Sequence, residues 1–227
     1  MSTSKLISGI VIAVFCFALP LFLPAGTLDW PRAWIFLGVV LVATTASTAV
    51  VYRASPGLME ERFKPPVQKG QPLADRIVVS LLLVTFFGLM VFIPLDVFRL
   101  HLMPKPGPIA SFFGLVLFIV GWWLMTLALR ENAFAAPVVK YQEERHQRVI
   151  DTGVYSVVRH PMYVGAVLLM IGMPLWLESD SGVVFAALPI ATLVVRILIE
   201  ERFLKRELAG YEEYTKKVRY RLIPFVW

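Results

Sequence analysis

Cysteine is nearly absent from this 227-residue chain, and charge is scarce. The single cysteine, Cys16, excludes a disulfide scaffold and a cysteine-ligated zinc site. Only 17% of the residues are charged, whereas a soluble domain carries about a quarter. Three histidines (His101, His146 and His160) stand far apart and lack the spacing of metal ligands. No G-x-G-x-x-G, no G-x-x-x-x-G-K-[ST], no H-E-x-x-H and no G-x-S-x-G occurs, which sets aside nucleotide-binding α/β domains, zincins and serine hydrolases of the usual signatures. Internal repeats and low-complexity stretches are also lacking.

Apolar residues are what the chain has in excess: 58% of it is hydrophobic, with a mean hydropathy of +0.71. One soluble core cannot absorb that much apolar surface. Charge-free runs extend over Leu6–Leu28, Ala33–Tyr52, Ile77–Leu95, Pro106–Leu129, Pro161–Leu177 and Ser181–Val195. Four of them reach 19 residues or more, and about 20 residues span a bilayer core. The last two hold 17 and 15 residues and lie three residues apart. The expectation is an all-α integral membrane protein of about six transmembrane helices, the last two a short hairpin that spans fully or dips in as a re-entrant pair. The first run is longer than a signal-peptide core and more spans follow it, so it reads as an uncleaved helix.

Lys and Arg between the spans fall into two sets. The N-terminus, the loop after span two, the loop after span four and the tail from Glu200 hold 18, while the other loops hold three: Arg32, Arg99 and Lys105. Positive-inside bias therefore places both termini and the two long loops in the cytoplasm. The net charge of +6 flanks membrane spans, so anionic membrane lipids rather than nucleic acid are the expected partner. The charged stretch Glu200–Lys217, with Leu204, Leu208, Tyr211 and Tyr214 at spacings of three and four, reads as a cytoplasmic amphipathic helix broken at Gly210.

Chemistry is concentrated in the last third. Arg159-His160-Pro161-Met162-Tyr163 leads into span five; Pro161 suits the first helical position and His160 the N-cap. A helix N-terminus offers free N–H groups and a positive dipole end to an anionic group. The alternative is an interfacial anchor, with Arg and His at headgroup level and Tyr in the aromatic belt. Near the end of span six stands Arg196, followed by Glu200 and Glu201. An ionisable residue in a span points to a site with a nearby partner, and Arg196 and Glu200, four apart, share a helix face. The alternative is an arginine snorkelling to a surface one turn away. A hairpin brings the two features together, giving one pocket lined by His, Tyr, Arg and two carboxylates beside lipid.

These residues resemble the isoprenylcysteine carboxyl methyltransferase family and its relatives among membrane phospholipid methyltransferases. The matching pieces are Gly153-Val154-Tyr155, Arg159–Tyr163, Arg196-x-x-x-Glu200-Glu201, Leu208, Tyr211-x-x-Tyr214 and the ending Arg221-Leu222-Ile223-Pro224. The resemblance covers about residues 130–227. It divides the chain into transmembrane helices 1–4 over residues 1–129 and a methyltransferase-like core of connector, hairpin and C-terminal helix over 130–227. It implies S-adenosylmethionine bound on the cytoplasmic side without a Rossmann domain. It also implies that the connector Tyr141–Tyr155 (with Gln142, Val149, Gly153 and Tyr155) and the start of span five (His160, Pro161 and Tyr163) wrap that cofactor, closed by Glu201. Arg196 and Glu200 resemble the pair that sits where donor meets acceptor. One position departs: Gln147 stands where the family often has histidine, and the adjacent His146 is not assigned.

The implied reaction is methyl transfer to a lipophilic acceptor, carboxyl methylation of an isoprenylcysteine-like thioether in the first place. A phospholipid or other lipid N-, S- or O-methyltransferase is the second reading, and a non-catalytic scaffold or lipid-binding protein the third. Gly114 and Gly121 permit close helix approach, but a seven-residue glycine spacing leaves the oligomeric state open.

Overall fold

The computed structural model describes residues 2–227 apart from Pro66, Lys69, Gly70, Lys140 and Tyr141. Tyr141, the first residue of the expected connector, therefore lies outside the described residues. The helices are α1 (Thr3–Ala25), α2 (Pro31–Ala54), α3 (Pro56–Arg62), α4 (Leu73–Leu95), α5 (Pro108–Glu131), α6 (Pro161–Trp176), α7 (Asp180–Phe185), α8 (Ala187–Glu207) and α9 (Tyr211–Lys217). Proline occupies the first turn of α2, α3, α5 and α6, where its missing N–H leaves no bond unmade and its fixed φ is already helical.

Among the described residues five stretches are long and apolar enough to cross a membrane: Thr3–Ala25, Pro31–Ala54, Leu73–Leu100, Pro108–Glu131 and Asp180–Glu207. The fold is thus an all-α, multi-span membrane protein, but the expected six spans resolve differently. Helix α6 is apolar and only 16 residues long. The last span is no 15-residue segment, because α7 and α8 meet at Ala186 and run 28 residues to Glu207. The expected amphipathic helix over 200–217 is divided as well. Its first part, as far as Glu207, finishes α8, and only Tyr211–Lys217 forms α9, with Gly210 at φ +81° in the joint. Charge-free runs stop at Arg196, but a helix continues through a charged residue whose partners lie inside the protein.

Large apolar side chains point outward along the long helices: Leu23, Val42, Val84 and Ile109 are each more than two-thirds exposed. That is the arrangement expected of a surface solvated by hydrocarbon. The interior is an aromatic-rich cluster from α1, α2, α4, α5 and α6, centred on Phe36 and Phe118, whose ring centroids are 4.6 Å apart. At the end of the bundle near the α6–α7 turn, Arg32 and Trp176 exchange two hydrogen bonds of 3.0 Å. Buried Asp96 accepts from Ser179 Oγ at 2.6 Å, and Ser179 caps α7. These contacts fix the turn that sends the chain back along α8.

Helix α6 packs on α5, and α8 on α4. The α5–α6 contact is made through glycines seven residues apart on each helix. A Cβ on Gly121 would meet the Gly165 carbonyl oxygen at 2.5 Å, and one on Gly172 the Gly114 oxygen at 2.5 Å. The spacing that leaves oligomerisation open in the sequence is used here within one chain. In an open helix Gly→Ala stabilises by about 1 kcal/mol. Gly121→Ala and Gly165→Ala are expected to do the reverse here, destabilising by about 1–3 kcal/mol through overpacking. A thermal-unfolding midpoint that rises in either variant would show that the backbones are not in contact.

Candidate active site

The start of α6 is held from three directions. Its N-cap is His160, and the preceding Arg159 turns inward and is buried. Arg159 donates from Nε to Glu201 Oε1 at 2.6 Å and from Nη1 to the carbonyls of Val218 and Arg219 at 2.8 and 2.7 Å. The backbone N–H groups of Arg159 and His160 donate to Tyr220 and Arg221. Glu201, on α8, also accepts from Arg221 Nε at 2.8 Å and lies 3.3 Å from His160 Nε2. One carboxylate thus joins α6, α8 and the segment after α9.

On the same helix Arg196 and Glu200 face this region too, but each finds a different partner. Arg196 donates to Asp75 Oδ1 at 3.4 Å and to the Pro137 carbonyl at 2.6 Å, and its guanidinium lies 5.8 Å from the centre of the Tyr163 ring. Asp75, fully buried at the start of α4, also accepts from Gln71 Nε2 at 2.6 Å and from the Val139 N–H at 2.9 Å. Glu200 Oε2 instead accepts from the Tyr163 hydroxyl at 2.5 Å. Tyr163 stacks on His160 with the rings 8° from parallel. The i, i+4 pair read from the sequence therefore straddles Tyr163, and the anion that fixes Arg196 comes from another helix.

Two cavities meet at this point. A polar cleft of about 800 Å³, counted to its open mouth, is lined by Val149, Tyr155, His160, Tyr163 and Glu200 from the expected set. Asn132, Phe134, Tyr211 and Tyr214 also wall it. Burial pushes the hydroxyl pKa values of Tyr155, Tyr211 and Tyr214 well above the usual tyrosine range, so all three stay protonated at neutral pH. On the other side of Met162 and Tyr163 lies an apolar cavity of about 1080 Å³, counted likewise to its open mouth, between α4, α5, α6 and α8, with Arg196 and Arg62 in its wall.

The remaining expected residues are not among those lining the cleft. Gln142 is buried and its side chain is committed to the connector itself: it donates to the Phe134 carbonyl at 2.8 Å and accepts from Arg145 at 2.6 Å. Gly153 supplies a left-handed turn (φ +54°), and a Cβ there would press on the Glu131 carboxylate. Pro161 starts α6, Glu201 sits behind His160, and Arg196 lines the apolar cavity. Asp75, Arg62 and the Asn132–Phe134 wall are absent from the sequence reading. Asp75 alone left a signal, as a carboxylate at the very edge of a span.

Fold and cavities together define a polytopic helical membrane protein with a polar cleft backed against an apolar one. Residues 109–209 match the family described as phospholipid methyltransferase. The chain is 31% identical over 119 residues to protein-S-isoprenylcysteine O-methyltransferase B of Arabidopsis thaliana, covering 51% of this chain and 60% of that protein. It is 33% identical over 135 residues to protein-S-isoprenylcysteine O-methyltransferase of Saccharomyces cerevisiae, covering 58% of this chain and 55% of that protein. The chain thus spans about three fifths of the length of these relatives. In fold it is similar to the eukaryotic intramembrane Ras methyltransferase isoprenylcysteine carboxyl methyltransferase, with a TM-score of 0.54 at 23% identity over 93% of this chain and 73% of that one. Over about half of its length the chain is thus similar to isoprenylcysteine carboxyl methyltransferases, and its later part matches the phospholipid methyltransferase family model.

Removing Asp75 leaves a buried guanidinium without its counter-charge, an effect of about 3–5 kcal/mol. Asp75→Ala is expected to lower the unfolding midpoint steeply, and adding Arg196→Met to recover part of the loss. Strict additivity of the two substitutions in thermal melts would show that they do not interact.

Proposed function

We propose that the chain is an S-adenosylmethionine-dependent methyltransferase acting on a lipophilic acceptor, and that its reaction is carboxyl methylation of an isoprenylcysteine-like thioether. The observation that carries this reading is the meeting of a polar cleft and an apolar cavity at Met162 and Tyr163, with Glu200 on one side and Arg196 on the other. The cleft fits a zwitterionic, aromatic ligand: Tyr155, Phe134 and Tyr211 offer ring faces, Asn132 and Gln147 offer amide groups, and Glu200 offers an anion. The basic loops beside the cleft support a cytoplasmic site with both termini on the same side.

S-adenosylmethionine, when bound, supplies an electrophilic methyl group on a sulfonium. The contribution of the chain is then positional, since holding nucleophile and methyl in line lowers the barrier most. Arg196 orients the acceptor carboxylate by charge-assisted hydrogen bonds, and Asp75 with the Pro137 carbonyl holds the guanidinium in place. Tyr163 fixes Glu200 beside the cleft. A carboxylate nucleophile at neutral pH carries no proton, so Glu200 acts here through its charge. An amine acceptor, the reading favoured by the phospholipid methyltransferase match, would need Glu200 as base.

Arg196→Ala and Glu200→Gln are each expected to lower methyl transfer by about a hundredfold or more, with S-adenosylmethionine still raising the unfolding midpoint. At 100 times its dissociation constant the ligand stabilises the fold by about 2.7 kcal/mol. Unchanged turnover in both variants would remove them from the site, and no midpoint shift in the wild type would overturn the methyltransferase reading. The product separates the two chemistries: a methyl ester releases methanol in mild alkali, and an N-methyl group does not.

A further inference from the structure

Helix α3 is a seven-residue return after α2, seated on the bundle by Leu58 and Met59, which pack with Val51. At its end Arg62 reaches into the protein. Its Nη1 donates to the Ala135 carbonyl at 3.2 Å, and the residue lines both the apolar cavity beside Arg196 and a second apolar cavity between α1, α2 and α5. Phe86, Met125 and Leu169 are common to the two cavities, so Arg62 sits where the two apolar spaces join.

The two guanidiniums are not paired alike. Arg196 has Asp75, whereas among the described residues no carboxylate bonds to Arg62. Burial and then the neighbouring Arg196 pull the Arg62 pKa down, yet a guanidinium keeps its proton at neutral pH. A cation facing hydrocarbon without a counter-ion is costly, and the neighbouring tyrosines are neutral donors. What completes the arrangement is an anion that arrives with a hydrocarbon chain.

We propose that Arg62 is a second cation of the acceptor site, which binds the anionic head of a single-chain amphiphile jointly with Arg196 while its chain occupies the apolar cavities. This rests on the methyltransferase reading for what happens next, but the anion site itself does not. It selects acceptors whose head carries a net negative charge, a carboxylate or a phosphate monoester, over zwitterionic or neutral heads. It assigns Arg62 to the acceptor side, since the polar cleft does not include it among its described lining.

The test uses the whole protein in phosphatidylcholine vesicles, with decanoate, decyl phosphate and decanamide as probes and S-adenosylmethionine as a reporter of the cleft. Arg62→Gln is expected to weaken decanoate and decyl phosphate by about tenfold or more, the range for a hydrogen bond to a charged group. Decanamide and S-adenosylmethionine should bind as before. The tighter of the two anions in the wild type then identifies the head as carboxylate or phosphate. Equal weakening of decanamide would mean that Arg62 only shapes the cavity, and weakening of S-adenosylmethionine in step with the anions would move Arg62 to the cofactor side; either overturns the proposal. Should Arg62→Gln not fold, Arg62→Lys is the second variant. Its ammonium loses the two-pronged contact, so the anions should weaken relative to decanamide, and an unchanged ratio would overturn the proposal. Loss of any S-adenosylmethionine effect in the wild type would defeat the methyltransferase reading and leave the anion selectivity standing.

Discussion

The Glu201 carboxylate is the interaction on which the rest of the site depends. Arg159 and Arg221 both donate to it, and His160 stands beside it, in a place almost closed to solvent. Two cations brought together in such a place would repel each other and lose their hydration; one anion between them, with carbonyls taking the remaining N–H groups, makes the arrangement tenable. Because the three donors come from the start of α6 and from the segment after α9, the carboxylate on α8 sets the position of all three. The His160 and Tyr163 rings, and through them the wall between the two cavities, follow from that.

Arg196 and Arg62 illustrate how the same side chain takes different parts according to its partner. Asp75 neutralises Arg196 and is itself held by Gln71 and the Val139 N–H, so this guanidinium is fixed before any ligand arrives. Among the described residues Arg62 is tethered through a single carbonyl. A fixed arginine beside one with spare donors suits a site that orients one part of a ligand and attracts it by another.

Helix positions and the closeness of His160 to Glu200 and Glu201 were legible in the sequence, because lipid-facing helices announce themselves by composition and a hairpin must return. Pro161 likewise marked the start of α6. The length of the last span was not legible, since Arg196 ended the charge-free run although its partners are inside the protein. Asp75 and Arg62 were hidden for a related reason: each lies some 120 to 135 residues from Arg196 in the chain, and nothing local in the sequence says which loop folds back. Gln142 was assigned to the cofactor by family likeness alone, and its amide bonds to Phe134 and Arg145 could not be read from the sequence.

The shortness of α6 has a consequence for the bilayer itself. Its Trp176 end is level with the start of α2, through the paired bonds between Trp176 and Arg32. From that level α2 runs for 24 residues and α6 for 16, about 36 and 24 Å at 1.5 Å per residue. The beginning of α6 therefore stops roughly two turns short of the far end of α2, and short of the hydrocarbon thickness of about 30 Å. Hydrophobic mismatch of this kind draws the headgroup boundary inward around the short helix. The cleft at the beginning of α6 is therefore set back by roughly two turns from the far end of α2.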